Sequence, residues 1–199
     1  MGTSLSPSAT SAAAASAADK FPRRHAHVRE TIEICKGIWT NDLFEYHGEF
    51  ADFEPCGFGH KPVQSPHPPI YFSGLRDPKR SANRVAKYGL AGWIGIQDTP
   101  REFTEWRTAI ARELEALGKS IDDLDMCSMI WFTITDTEVD QSDNGKVSNI
   151  LVGTADQITE KIQAAVDAGA NYIIVYMPGL AYDPSMLTRF AETVIPRFS

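Results

Sequence analysis

The chain has 199 residues, 43% of them hydrophobic and 10% aromatic, and a formal net charge of −7 at pH 7. This apolar content predicts a globular domain with a core rather than a disordered chain. The negative charge argues against nucleic acid as a partner, because nucleic-acid-binding modules usually carry a clustered basic face. No apolar run approaches the roughly 20 residues that span a bilayer, so we expect no membrane partner.

Residues 1–20 are dominated by alanine and serine and lack the basic start and apolar core of a secretory signal. They predict a disordered tail, which leaves one domain over residues 21–199. The three cysteines are odd in number and show no CxxC spacing, which is typical of a reducing cytoplasm. Cys56 and His60 are one pair of potential ligands without a second pair, so we expect no metal site.

The first structured segments are predicted to be a helix and a hairpin. Apolar and aromatic residues recur at three- and four-residue steps over residues 22–39, which predicts a helix with one buried face. Turn signals then alternate with aromatic residues over residues 40–54. This pattern predicts a small hairpin or another ordered excursion.

The stretch over residues 61–93 predicts a strand, a loop, a helix and a second strand. Its prolines favour an extended approach, and the apolar run that follows ends at Ser73 and Gly74, as a strand does where it gives way to a loop. Asp77 before Pro78 is typical of a helix N-cap. Gly89 ends that helix, and the next strand is predicted over residues 91–96.

The same alternation continues to the end of the chain. Capping-box patterns at Thr99 and Thr154 predict two helices, and Asp183 before a proline predicts a last one. β-branched and aromatic residues predict strands over residues 127–135 and 172–176. The polar link over residues 136–149 is long enough that we expect it to be mobile.

Four consecutive βα units predict an α/β fold with a parallel sheet. The sheet is either open and doubly wound or part of a (β/α)₈ barrel. An open nucleotide-binding domain carries GxGxxG at its first βα turn, and the run SGLRDPKRS lacks that pattern.

Several motifs in order resemble the luciferase-like monooxygenase family. They are ETIEICKGIWTNDLFEYHGEFADFE, KPVQSPHPPIYFSG, YGLAGW and VGTADQITEKIQAAVDAGANYIIVYMPG, and the resemblance covers roughly residues 22–198. Members of the family are (β/α)₈ barrels that use reduced FMN or the deazaflavin F420. The resemblance therefore implies a cytoplasmic oxidoreductase that acts on a small-molecule organic substrate, with O₂ in the monooxygenases.

The matching motifs belong to the C-terminal half of such a barrel, and the chain carries four βα units where a whole barrel has eight. We therefore expect an incomplete barrel, either a half barrel or a truncated gene product. Its uncovered interior face is expected to include parts of Tyr71, Trp131, Ile173 and Val175. Such a face predicts self-association or pairing with a complementing half barrel. The alternative function is a non-catalytic half barrel that binds a phosphate-bearing ligand.

By resemblance, the loop after the first strand and the helix start that follows hold the flavin phosphate. The implied cofactor-binding residues are Ser73, Gly74, Leu75, Arg76, Ser81 and Trp93. A plain strand-to-helix turn is the alternative for the loop, and core packing is the alternative for Trp93. Tyr176 and Met177 end the last strand and are candidates for contact with cofactor or substrate. The catalytic residues stay unassigned.

Overall fold

The computed structural model describes residues 23–73, 77–96, 98–140 and 150–198. The chain divides into two compact units, the first ending at Pro68 and the second beginning at Pro69. The boundary lies in the proline-rich approach to the first strand, which was not interpreted as a division within residues 21–199. Among the described residues, no helix is both long and apolar enough to cross a membrane.

The first unit contains one helix and one antiparallel hairpin, as predicted. Helix α1 spans Arg24–Thr40, and strands β1 (Leu43–His47) and β2 (Asp52–Gly57) pair with a bulge. One face of the hairpin is aromatic, with the rings of Phe44, Tyr46 and Phe53 lying 5.9–6.4 Å apart. These rings give the small unit its apolar contacts.

A buried carboxylate joins α1 to the tip of the hairpin. Glu30 is 4% exposed, and its two oxygens accept hydrogen bonds from the backbone N–H groups of Glu49 (2.9 Å) and Phe50 (2.8 Å). Two charge-assisted bonds compensate for the burial of the charge. Glu30 therefore fixes the conformation of the turn between β1 and β2.

Replacing Glu30 with alanine is expected to destabilise the first unit by about 2–3 kcal/mol, because the two backbone N–H groups of the hairpin turn lose their charged acceptor. Hydrogen exchange at the amides of Glu49 and Phe50 should accelerate. Glu33→Ala is the control: Glu33 lies on the same helix but is exposed and accepts one bond, from the Tyr46 hydroxyl at 2.7 Å. Equal effects of the two changes would contradict the role given to Glu30.

The second unit is built on five parallel strands. They are β3 (Tyr71–Ser73), β4 (Gly92–Ile96), β5 (Asp125–Ile134), β6 (Leu151–Gly153) and β7 (Tyr172–Tyr176). β3 pairs with β4, and β5 pairs with β4, β6 and β7. Four of these strands were predicted; β6 was not, because its three residues lack the proline-bounded apolar run that marks β3.

Four helices connect and follow these strands. They are α2 (Pro78–Tyr88), α3 (Pro100–Glu115), α4 (Ala155–Asp167) and α5 (Ser185–Thr193). Short 3₁₀ turns occur at Ile121–Asp123 and Ile195–Phe198.

The predicted helix starts are confirmed, with one shift in position. Asp77 caps α2, and capping boxes start α3 at Thr99 and α4 at Thr154. The last helix begins one residue later than predicted: Pro184 is its N-cap, and Asp183 accepts a bond from the backbone N–H of Ser185 at 3.0 Å. Gly89 ends α2 with φ of 57°, a left-handed conformation that suits glycine.

Strand register assigns each side chain of β3, β4, β5 and β7 to one of two faces, because paired residues of neighbouring strands point the same way. We call the face that packs against the helices the covered face. Phe103 of α3 packs on Trp93 with ring centroids 5.8 Å apart, and Phe190 of α5 packs on Phe132 at 5.3 Å. Arg84 of α2 lies over the Phe72 ring at 4.8 Å. The side chains of the covered face are those of Phe72, Trp93, Met126, Ser128, Ile130, Phe132, Ile134, Ile173 and Val175.

The opposite side is the open face, where large side chains stay accessible. Tyr172 and Tyr176 are each 50% exposed and Ile96 is 42% exposed. The open face comprises Tyr71, Ser73, Ile94, Ile96, Asp125, Cys127, Met129, Trp131, Thr133, Tyr172, Ile174 and Tyr176.

Two of the four residues predicted for the uncovered face lie on the open face. Tyr71 and Trp131 lie on it, but Ile173 and Val175 do not, because they pair with Ser128 and Ile130 of the covered face. The five residues of β7 are all apolar or aromatic, so their pattern alone does not show which of them face the helices.

Candidate functional site

The carboxyl ends of the parallel strands share one edge of the sheet, and in (β/α)₈ barrels this edge carries the functional site. β3 ends at Ser73, β4 at Ile96 and β7 at Tyr176. The amino edge is formed by the starts of the same strands. Residues at the carboxyl edge are therefore the candidates for ligand contact.

The predicted phosphate corner joins the end of β3 to the start of α2. The Ser73 hydroxyl donates to the carbonyl oxygen of Ile94 at 3.2 Å, which ties β3 to β4. Ser81 is 1% exposed, and its backbone N–H donates to the Asp77 carbonyl at 3.0 Å. Gly74, Leu75 and Arg76 lie outside the described residues, so their predicted part in phosphate binding stays a prediction.

Trp93 pairs with Phe72, next to the corner, but its side chain lies on the covered face of the sheet. It is 3% exposed, belongs to the covered face and packs against Phe103. This placement favours core packing, the alternative offered by the sequence, over a place against a cofactor. The predicted cofactor contact of Trp93 stays a prediction that its burial does not support.

Trp131 and Tyr176 form an aromatic pair on the open face at the carboxyl end of β7. Their ring centroids are 5.2 Å apart with an interplanar angle of 57°. Tyr176 is half exposed, whereas Met177 beside it is 5% exposed and points into the core. The indole N–H of Trp131 is buried and has no acceptor among the described residues.

The amino edge of the open face is closed by a tyrosine–aspartate pair. The Tyr71 hydroxyl donates to Asp125 at 2.6 Å across the intervening strand. Gly92 lies between them, and a Cβ there would be 2.9 Å from the Tyr71 ring and 2.3 Å from the Asp125 carbonyl oxygen. Glycine at this position therefore permits the contact.

Two groups near this edge have raised pKa values. The hydrogen bond to Asp125, followed by burial, raises the pKa of Tyr71 to about 12. Burial, followed by the charge of Asp125, raises the pKa of the Cys127 thiol to about 11. Both groups are neutral near pH 7, so neither supplies a base or a thiolate. Tyr71 begins β3 and contacts Asp125 at the start of β5, which indicates a structural role for Tyr71.

The outer face of the hairpin in the first unit carries a separate polar group. The ligand atoms of Glu45, His47 and Glu54 lie within 4.8 Å of one another, and all three residues are exposed. The sequence did not indicate this grouping, because it depends on the register of the hairpin. Exposed acidic side chains beside a histidine do not by themselves make a metal site.

His47 is expected to titrate above its ordinary pKa of 6.5, chiefly because Nδ1 is hydrogen-bonded to Asp52 at 2.6 Å. A raised folded-state pKa means that the stabilising pair is complete below pH 6.5 and is lost as pH rises through the folded value. NMR titration of the imidazole should show the pKa falling in Asp52→Asn. Asp42→Asn removes an equal charge elsewhere in the unit and should leave it unchanged; a like shift in both would contradict the role of the bond.

Comparison with known proteins decides the family. The model of the luciferase-like monooxygenase family matches residues 2–144. The chain belongs to the luciferase-like monooxygenase family. The resemblance predicted from the motifs is thereby confirmed, although the match begins in the segment predicted to be a disordered tail.

Named relatives of this luciferase-like chain use two different cofactors. An FMNH₂-dependent dimethylsulfone monooxygenase of Pseudomonas putida is 29% identical over 101 residues, 51% of this chain and 23% of that protein. An F420-dependent glucose-6-phosphate dehydrogenase of Amycolatopsis mediterranei is 22% identical over an alignment of 217 residues, covering 89% of this chain and 62% of that protein. The chain thus spans between 23% and 62% of the length of these two relatives.

A solved structure confirms the fold of this family member. The monooxygenase RslO1 from Streptomyces bottropensis superposes with a TM-score of 0.65 at 17% identity, covering 90% of this chain and 63% of that chain. The parallel sheet is therefore part of a luciferase-like (β/α)₈ barrel, and the chain covers only part of that barrel.

Sequence reasoning missed two features of the candidate site. Trp131 was placed on the open face, but its pairing with Tyr176 follows from the register of β5 against β7, which no local pattern shows. Asp77 was recognised as a helix cap, but its charge was not weighed against the phosphate predicted at the same place. The Asp-Pro pair itself was the available signal.

Proposed function

We propose that this chain carries part of the site of a flavin- or F420-dependent oxidoreductase of the luciferase-like monooxygenase type, acting on a small organic molecule. The aromatic pair of Trp131 and Tyr176 carries the proposal, because it lies on the open face at the edge where barrels bind their ligands. FMN and F420 both remain candidates, since relatives named for each of them match the chain.

The residues of this edge fit the planar ring of either cofactor. The flat side chains of Trp131 and Tyr176 suit an aromatic ring, and Met129 on the same face adds a polarisable thioether. A buried indole N–H without an acceptor costs free energy. An acceptor atom on a bound ring would satisfy the N–H of Trp131.

The described residues bind and orient the cofactor ring and do not transfer protons. When bound, a reduced flavin or deazaflavin supplies the electrons of the reaction. Tyr176 and Trp131 hold the ring and exclude water from one side of it. Tyr71 and Cys127 keep their protons near neutral pH, so we assign neither a catalytic part.

The proposal is tested by titrating FMN and F420 separately into the purified full chain and following the quenching of their fluorescence. We expect saturable binding of one of them, and the one that binds identifies the cofactor. If neither binds at high micromolar concentration, the cofactor assignment is wrong. The substrate class is then sought by a change in the cofactor's fluorescence or affinity when small organic compounds are added.

A further inference from the structure

The start of α2 already holds an anion that belongs to the chain. Oδ1 of Asp77 accepts a hydrogen bond from the backbone N–H of Arg80 at 3.0 Å. Oδ2 of the same carboxylate lies 3.3 Å from Nε of Arg80. The carboxylate thus uses both a backbone donor and a cationic side chain of the first helical turn.

Among the described residues, few N–H donors at the start of α2 remain for a second anion. Helix N-termini bind phosphate through the unpaired N–H groups of the first turn. Pro78 has no N–H, and the N–H of Arg80 is bonded to Asp77. Of the three residues in the first turn, Lys79 alone has a backbone N–H that is not bonded to Asp77.

The two serines predicted at this corner do not restore the donors. The Ser81 side chain is 1% exposed, in the interior of the unit. Ser73 donates its hydroxyl to the backbone of β4. The described residues therefore do not fit a phosphate at the start of α2, in contrast to the role that the resemblance implied.

The charge of Asp77 also disfavours a phosphate at the start of α2. A carboxylate at a helix N-terminus already interacts with the positive end of the helix dipole. A phosphate carrying one to two negative charges would lie beside the Asp77 carboxylate and be repelled by it. The charge of Arg80 is likewise compensated by its contact with Asp77.

We propose that Asp77 acts as a built-in anion that excludes phosphate from the start of α2, so that a flavin is held mainly by its ring. The proposal rests on the flavin or deazaflavin site described above. It makes Asp77 a specificity-determining residue: the chain should bind riboflavin, which lacks the phosphate, about as well as FMN.

The test compares FMN and riboflavin by fluorescence quenching in the wild type, Asp77→Asn and Asp183→Asn. Asparagine keeps the acceptor for the Arg80 N–H and removes only the charge, so α2 should remain folded and a gain in binding reports the charge of Asp77. In the wild type we expect the two dissociation constants to agree within about threefold. Asp77→Asn should strengthen FMN binding by about threefold to tenfold and leave riboflavin binding unchanged. Asp183→Asn, which removes a charge at the start of α5, should change neither.

Inorganic phosphate provides a second arm that does not depend on flavin binding. Millimolar phosphate should leave the NMR signal of the Arg80 amide unchanged in the wild type and shift it in Asp77→Asn. If neither flavin binds, the proposed function is wrong for FMN. The NMR titration with inorganic phosphate then decides the role of Asp77. A wild-type preference for FMN above about tenfold, or no gain of phosphate response in Asp77→Asn, overturns the inference.

Discussion

Replacing Phe132 with alanine is expected to lower the free energy of unfolding of the second unit by about 3–5 kcal/mol. Phe132 is fully buried on the covered face and packs against Phe190 of α5 with ring centroids 5.3 Å apart. The change removes transfer free energy and leaves a cavity between β5 and α5. Since domains are stable by only about 5–15 kcal/mol, this loss brings the unit close to unfolding.

The measurement is urea denaturation followed by tryptophan fluorescence. In a Trp39→Phe background the remaining tryptophans, Trp93, Trp106 and Trp131, all lie in the second unit, so the signal reports that unit alone. Met129→Ala is the control, since Met129 lies on β5 but on the open face, and we expect it to cost about 1 kcal/mol. Comparable losses for the two variants would mean that the faces of the sheet are wrongly assigned.

The parts of the fold that local chemistry determines were predictable from sequence. Capping boxes at Thr99 and Thr154 and the glycine at residue 89 act within a few residues, so their patterns located helix ends closely. The hairpin of the first unit followed in the same way from turn signals around aromatic residues. The family was also accessible, because several motifs occur in the order that the resemblance requires.

The features that the sequence did not predict depend on contacts between segments that are distant in the chain. Gly92 has no local reason to be glycine; it permits Tyr71 to reach Asp125, 54 residues further along the chain. Ile173 and Val175 look the same as their neighbours in β7 until their register with β5 is known. The face on which a side chain lies is a tertiary property of an apolar strand.

The candidate site shows a further limit of reading motifs one at a time. The Asp77-Pro78 pair was correctly taken as a helix start, and the same helix start was taken as a phosphate site. These two interpretations compete, because the capping carboxylate and a phosphate need the same first-turn N–H groups. The structure shows one of these groups, the N–H of Arg80, bonded to Asp77.

Tyr176→Ala is expected to weaken binding of whichever cofactor the chain binds by about tenfold, because the ring loses an aromatic contact at the carboxyl edge. Tyr172→Ala is a closely matched control. Both tyrosines lie on β7, both belong to the open face and each is 50% exposed, but Tyr172 begins the strand and Tyr176 ends it. The two variants remove the same side chain from the same face.

The affinities are measured by quenching of cofactor fluorescence, with circular dichroism confirming that both variants are folded. Binding lost in Tyr176→Ala and kept in Tyr172→Ala would support ring binding at the carboxyl edge beside Trp131. If Tyr172→Ala is the variant that loses affinity, the ligand lies at the amino edge, against the position expected for a (β/α)₈ barrel. If both lose it equally, contact with the open face as a whole, rather than the Trp131–Tyr176 pair, is responsible for binding.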